Sequence, residues 1–210
     1  MVQNAEHGKA EGRRRGRPRT YDPDQALAKA TETFWETGYA AASLDALSAA
    51  TGMNRPSLYG AFGDKSALYQ AALERYREQG RATMKAALGA PGTLRESLTR
   101  FYAAGLDIYL GGGPRGCFLI GSGLSQAPAD EAIRETVAAG VHELDAGLTR
   151  RLTIAKDAGE LPPTADPAAL ARLVSAMLNA MAVRARLGES RAELDALAAT
   201  TIDLVCRPAA

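Results

Sequence analysis

Two cysteines, two histidines and one tryptophan in 210 residues leave little room for several chemistries. Cys117 and Cys206 stand far apart and without metal-ligand spacing, which excludes a disulfide framework and a zinc site and suits a reducing cytoplasm. His7 and His142 are isolated and read as tail or surface residues. No Ser/His/Asp set, paired carboxylates or metal cluster emerges, so neither an enzyme nor a cofactor is expected. No apolar run approaches the ~20 residues that span a bilayer, and the N-terminus lacks the apolar core of a signal peptide. The expectation is a cytoplasmic protein with no membrane partner. Gly111-Gly112-Gly113-Pro114 lacks the lysine and spacing of a phosphate loop and reads as a connector.

What remains is ordinary globular material, 46% hydrophobic and 23% charged. Ala, Leu, Arg and Glu dominate, and no run alternates apolar and polar residues over a strand's length, which points to an all-α protein. Net charge is only +1, but it is unevenly spread. Residues 1–20 carry six bases (Lys9, Arg13, Arg14, Arg15, Arg17 and Arg19) against Glu6 and Glu11, leaving −3 for the other 190 residues. Such an N-terminal arm is expected to be disordered alone and to seek phosphate.

Beyond the arm, Asp22-Pro23-Asp24-Gln25 opens a helix, with Asp22 as cap, Pro23 in the first turn and Gln25 as box partner. Leu27, Ala30, Thr31, Phe34 and Trp35 share its inner face, and Gly38 ends it. Ser43 caps a short helix carrying Leu44 and Leu47 inward. Gly52 closes that helix, and Asn54 caps another from Arg55 to Phe62. Gly63-Asp64 starts a longer helix through Leu68, Tyr69, Ala72, Leu73 and Tyr76. Further helices are expected near 93–110, 115–126, 129–157, 167–187 and 190–205, separated by glycine and proline breaks.

The informative stretch is Ser43 to Leu68. Two short helices joined by a glycine-containing turn form the helix-turn-helix unit, whose second helix lies in the DNA major groove. Leu44, Leu47, Met53, Leu58 and Phe62 can form its core, leaving Arg55, Ser57 and Tyr59 outside. A purely structural helical corner is the plainer reading. The run from Phe34 to Leu73 resembles the headpiece of the TetR/AcrR family of repressors. Thr37-Gly38-Tyr39, Ser43-Leu44, Leu47-Ser48, Thr51-Gly52-Met53, Leu58-Tyr59, Phe62 and Lys65 with Leu68 fall in that family's order. Pro56, Gly60 and Ala61 depart from it mildly.

The resemblance implies phosphate contacts for Ser43, Tyr59 and Lys65, and base contacts for Asn54, Arg55 and Ser57. It also implies three regions: the arm at 1–20, a three-helix DNA-binding headpiece at 21–68, and a helical ligand-binding and dimerisation domain at 69–207. Within the arm, Gly16-Arg17-Pro18-Arg19 is similar to the core of an AT-hook. Arg15, Arg17 and Arg19 either enter a narrow minor groove or simply attract phosphate.

By the same resemblance, the larger domain is expected to enclose a small, apolar or amphipathic effector. Phe101, Tyr102, Tyr109, Phe118, Leu119 and Ser122 are candidate wall residues, with Met177 and Met181 nearer a dimer seam; taken singly, each reads more readily as plain core. Stripes at Leu170, Leu173, Val174, Met177, Leu178 and Met181, then Leu194, Leu197, Thr201, Ile202 and Val205, suit either a four-helix homodimer seam or an intrachain bundle. Cys117, where a helix is expected to begin, is either a low-pKa redox thiol or a buried apolar residue. The leading expectation is a repressor released from a palindromic operator by its effector. The alternatives are an architectural DNA binder relying on the arm and a thiol-based redox regulator through Cys117.

Overall fold

The computed structural model describes residues 22–207, and all the regular structure among them is helical. The basic arm, with Arg15, Arg17 and Arg19, lies outside the described residues, as does His7; His142 is exposed.

Helix α1, Pro23–Ala41, is capped by Asp22, whose carboxylate accepts from the Asp24 backbone N–H at 2.9 Å. The expected Gln25 box does not form; that carboxylate serves the nearer donor. Ala26, Ala30, Thr31, Phe34 and Trp35 are buried, and Leu27 is half-buried. At Gly38 the backbone turns to φ +78°, so the last turn of α1 is set off from the rest. Helices α2, Leu44–Thr51, and α3, Arg55–Phe62, follow, and α4 then runs unbroken over Lys65–Gly89. The residue 68/69 junction thus falls in the second turn of a continuous helix. Here α4 belongs to both parts of the molecule: Leu68, Tyr69, Leu73 and Tyr76 join the headpiece core, and Met84 and Leu88 join the other.

Helix α5, Leu94–Leu110, starts with a capping box between Thr93 and Glu96. The helix expected over 115–126 begins later. A glycine-rich turn occupies 111–117, and a π-helical turn, Leu119–Gly123, leads into the short α6, Leu124–Gln126. Helix α7 covers Glu131–Asp157, α8 Pro167–Arg186, and α9 Arg191–Val205, the last with a Ser190/Glu193 box.

The larger core is built from α4, α5, α7, α8 and α9 around Leu98, Phe101, Leu106, Leu148, Leu152, Leu178 and Leu194. Seven of the residues expected at a dimer seam serve this core instead. Val174, Leu178 and Met181 of α8 are buried within the subunit, as are Leu194, Thr201, Ile202 and Val205 of α9. The 3.6-residue period marks an apolar face without saying which neighbour covers it. The expectation that no apolar run approaches a bilayer's span is not met, since by length and composition alone α8 is long and apolar enough to cross a membrane. Its apolar character has another explanation in the subunit, since one face packs in the core while Leu173, Val183 and the adjoining Leu187 stand exposed.

Candidate nucleic-acid interface and cavity

The helix-turn-helix is locally determined. The Ser43 hydroxyl accepts from the Ala46 N–H at 3.1 Å, capping α2. Its own proton stays available to an outside acceptor such as phosphate. Gly52 closes α2 in the left-handed conformation, φ +70° and ψ +13°, which sets the turn into α3. Asn54 then caps α3 through its side-chain oxygen, which accepts from the Ser57 N–H at 2.9 Å. Leu47, Met53 and Leu58 are buried beneath, with Leu44 and Phe62 packed at the edge.

This leaves Asn54, Arg55 and Tyr59 exposed and Ser57 half-buried on α3. Arg55 is not idle in the DNA-free protein. It donates twice to Asp45 of α2, from Nη2 at 2.6 Å and Nε at 3.1 Å, both to the same carboxylate oxygen. That hydrogen bond and the carboxylate's charge raise the guanidinium pKa. Lys65, the first residue of α4, holds its ammonium 4.6 Å from the centre of the Tyr39 ring. Ser43 therefore lies at the N-terminus of α2, Asn54, Arg55 and Ser57 lie at the N-terminus of α3, and Lys65 begins the helix that follows them.

A cavity of about 690 Å³ lies in the larger domain between α4, α5, the π-helical turn, α7 and α8. Of the wall residues expected from sequence, Tyr109 and Leu119 line it. The others are placed elsewhere. Phe101 is buried in the larger core. The Tyr102 hydroxyl donates to the Val174 carbonyl at 3.0 Å, and its ring borders a smaller cleft of about 270 Å³. Phe118 turns the other way, its ring edge-on to Tyr69 and Tyr76, each at 5.7 Å. The Ser122 hydroxyl bonds to that of Tyr69 at 2.8 Å, Met181 is fully buried, and Met177 packs half-buried against the core.

Sequence reasoning missed most of the actual wall. Met84 and Leu88 of α4, Ile108, Ile120 and Leu178 give it apolar surface, while Arg77, Arg81, Lys85, Arg150 and Arg151 give it positive charge. A signal was there: Arg77, Arg81 and Lys85 recur every four residues, which puts them on one face of a helix.

Cys117 also lines the cavity, beside Tyr76 and Tyr109. Burial pushes its thiol pKa up, against the pull of the Ile120 and Leu119 N–H groups and the two phenols. The helix-start effect expected to lower it is present, then, but desolvation outweighs it. Burial likewise raises both phenols.

The cavity and the headpiece meet at residues 115–119. Trp35 of α1 donates from its indole nitrogen to the Gly116 carbonyl at 3.2 Å. The Arg115 guanidinium lies 4.3 Å from the Trp35 ring centre and is paired with Glu32. Arg186 of α8 donates to the carbonyls of Arg115 and Trp35, at 3.0 and 3.4 Å.

Comparisons with known proteins agree with this architecture. The family "Bacterial regulatory proteins, tetR family" matches residues 26–72, and "Tetracyclin repressor-like, C-terminal domain" matches residues 95–201. The HTH-type transcriptional repressor ComR of Escherichia coli is 34% identical over 192 residues, which cover 90% of this chain and 91% of ComR. The uncharacterised regulator YezE of Bacillus subtilis is 30% identical over 191 residues, 90% of this chain and 92% of YezE. Among solved structures, a cysteine mutant of the regulator CifR complexed with 26-bp operator DNA superposes with a TM-score of 0.81 at 30% identity, covering 89% of this chain and 98% of CifR. The family matches take in both the headpiece and the larger domain, and the chain belongs to the TetR family of DNA-binding transcriptional regulators.

Proposed function

We propose that the protein is a cytoplasmic, homodimeric repressor that leaves a palindromic operator when a small molecule occupies the cavity. Residues 21–68 read DNA, with Arg55, Asn54 and Ser57 toward bases and Ser43, Tyr59 and Lys65 toward phosphates. Residues 69–207 bind the effector and the second subunit. The relatives named above as repressors and the operator complex of CifR support this reading.

The observation that carries it is the junction at Gly116. Cys117 and Leu119 line the cavity, Phe118 lies in the headpiece core, and Gly116 holds Trp35 of α1. A ligand that displaces the turn therefore acts on the helix that carries the headpiece. Only a difference in ligand affinity between the DNA-competent and incompetent states produces release. Coupling typical of allosteric pairs, about 1–3 kcal/mol, corresponds to a 5- to 150-fold loss of operator affinity.

The test starts with an operator selected by the protein from randomised duplexes, followed by anisotropy titrations with ligands that raise its thermal stability. Operator affinity should fall on ligand addition, and the fall should shrink in Trp35→Phe, which keeps a ring but loses the donor. Ligands that bind the cavity without changing operator affinity would refute the mechanism.

A further inference from the structure

We infer that the ligand of the cavity is an amphipathic acid, with an apolar body inside and a single anionic group held by Arg81, Lys85 and Arg150. This rests on the reading of the cavity as the effector site, and it adds the ligand's chemical class.

The charge in the wall runs against the rest of the chain. Residues 21–210 sum to −3, yet among the described residues the wall carries five cations and one acid, Glu143. Two of the cations are already engaged. Arg77 is held by Glu74 and by Glu143, which occupies the wall's own carboxylate. Arg151 pairs with Glu160 at 3.5 Å. Arg81, Lys85 and Arg150 have no carboxylate within ion-pair distance among the described residues, and all three are exposed. Deeper in the wall, Arg151 is only 8% exposed, and its Nη1 has no partner. A buried guanidinium nitrogen without an acceptor is costly, and an anionic ligand would lower that cost through the local field.

The rest of the wall specifies the body of the ligand. Met84, Leu88, Leu119 and Leu178 are buried side chains that present hydrocarbon to the space. About 690 Å³ lies within the ~300–1,000 Å³ usual for sites that enclose a drug-sized molecule. A neutral hydrocarbon would leave the three free cations unused, and a cationic amphiphile would be repelled by them. An acid with an alkyl or aryl body satisfies both halves of the wall.

The experiment is calorimetric titration of the full-length protein with decanoate, decan-1-ol and decyltrimethylammonium, which share a chain and differ in head charge. Decanoate should bind about tenfold or more tightly than either of the others, as a charge-assisted contact predicts. In the triple variant Arg81→Gln, Lys85→Gln, Arg150→Gln, decanoate should fall to within about twofold of the alcohol while the alcohol is unchanged. These three side chains are exposed, so helical content measured by circular dichroism should match the wild type. Equal binding of alcohol and acid would overturn the acid assignment and leave an effector cavity. Acid preference that survives the triple substitution would place the anion elsewhere, such as on the basic arm, and also overturn it. Failure of all three to bind would overturn it together with the cavity reading. Selective decanoate binding with no effect on operator affinity would leave the ligand class standing and refute release.

Discussion

The indole nitrogen of Trp35 donates to the Gly116 carbonyl across 3.2 Å, a buried bond that fastens α1 to the turn at the cavity wall. Gly116 holds φ +66°, and a Cβ there would stand 2.4 Å from the carbonyl oxygen of Ala182 in α8. Backbone oxygen cannot swing aside as a flexible side chain can. Gly52 has a similar φ of +70° but open space around it. Gly52→Ala should therefore cost only the left-handed penalty, about 1–2 kcal/mol. Gly116→Ala should add overpacking to that, for about 2–5 kcal/mol in all. Urea unfolding of the two variants measures the difference, and equal losses would remove the close approach to Ala182 from the account.

Arg55 and Lys65 should separate base reading from phosphate binding. Arg55→Ala should weaken the selected operator by about ten- to a hundredfold and relax one base position in each half-site. Lys65→Ala should weaken operator and random duplex alike and lower the salt dependence of binding. Asp45, which holds Arg55 in the free protein, adds a third test. Asp45→Asn should release the guanidinium and tighten binding to both kinds of DNA. Identical losses for Arg55→Ala on operator and random DNA would refute the base assignment.

The thiol of Cys117 gives a pH prediction. Burial raises its pKa in the folded protein, so folding favours the protonated form. Below the ordinary thiol range, about 8.5, both states are protonated and this contribution is complete; it is lost as pH rises through the folded value. Stability should fall above pH ~8.5, by up to about 1.4 kcal/mol per pH unit per group. Cys206, also raised chiefly by burial, contributes in the same direction. The fall should be shallower in Cys117→Ser when thermal melts are compared between pH 8.5 and 10. Scarce thiolate also means slow oxidation, so peroxide should leave operator binding nearly unchanged at pH 7. A wild-type peroxide response abolished by Cys117→Ser would contradict this.

The headpiece was legible because its signals are local. Ser43, Asn54 and Asp64 cap helices within three residues of themselves, and Gly52 marks a corner by its own backbone. The cavity was hard to read because its wall is assembled from five separate elements. Large aromatic residues on those elements, such as Phe101 and Phe118, do what large apolar groups most often do and fill cores. The cavity is bordered by smaller and charged side chains, among them Gly80, Gly140, Gly147 and Arg81. Their role depends on which helices α4 and α7 face. The late start of the sixth helix was hidden for a related reason: besides nearby carbonyls of α5, the turn at 111–117 is held by Arg186, a partner remote in sequence.

The proposed dimer face can be tested without disturbing the fold. On α8, Leu173, Ala176, Ala180 and Val183, continued by Leu187, recur at alternating intervals of three and four and point away from the core. Leu187 is 79% exposed and Val183 51%, and contiguous exposed apolar surface of this kind marks an interaction site. The small side chains at 176 and 180 would let a second α8 approach closely. In a two-fold interface each substitution occurs twice, so Ala176→Glu with Val183→Glu would set four carboxylates into the seam. Burying unpaired charge costs several kcal/mol, which exceeds what a standard contact recovers. The wild type should sediment as a dimer at micromolar concentration and the double variant as a monomer. Helical content and thermal stability measured at matched dilution should stay close to those of the dissociated wild type, because both positions are exposed within the subunit. Operator affinity should fall by about a hundredfold or more, since two recognition helices reach half-sites about 34–36 Å apart only when the subunits are joined. A variant that remains dimeric would move the interface to another face, and a monomer that still bound the operator tightly would refute paired half-site recognition.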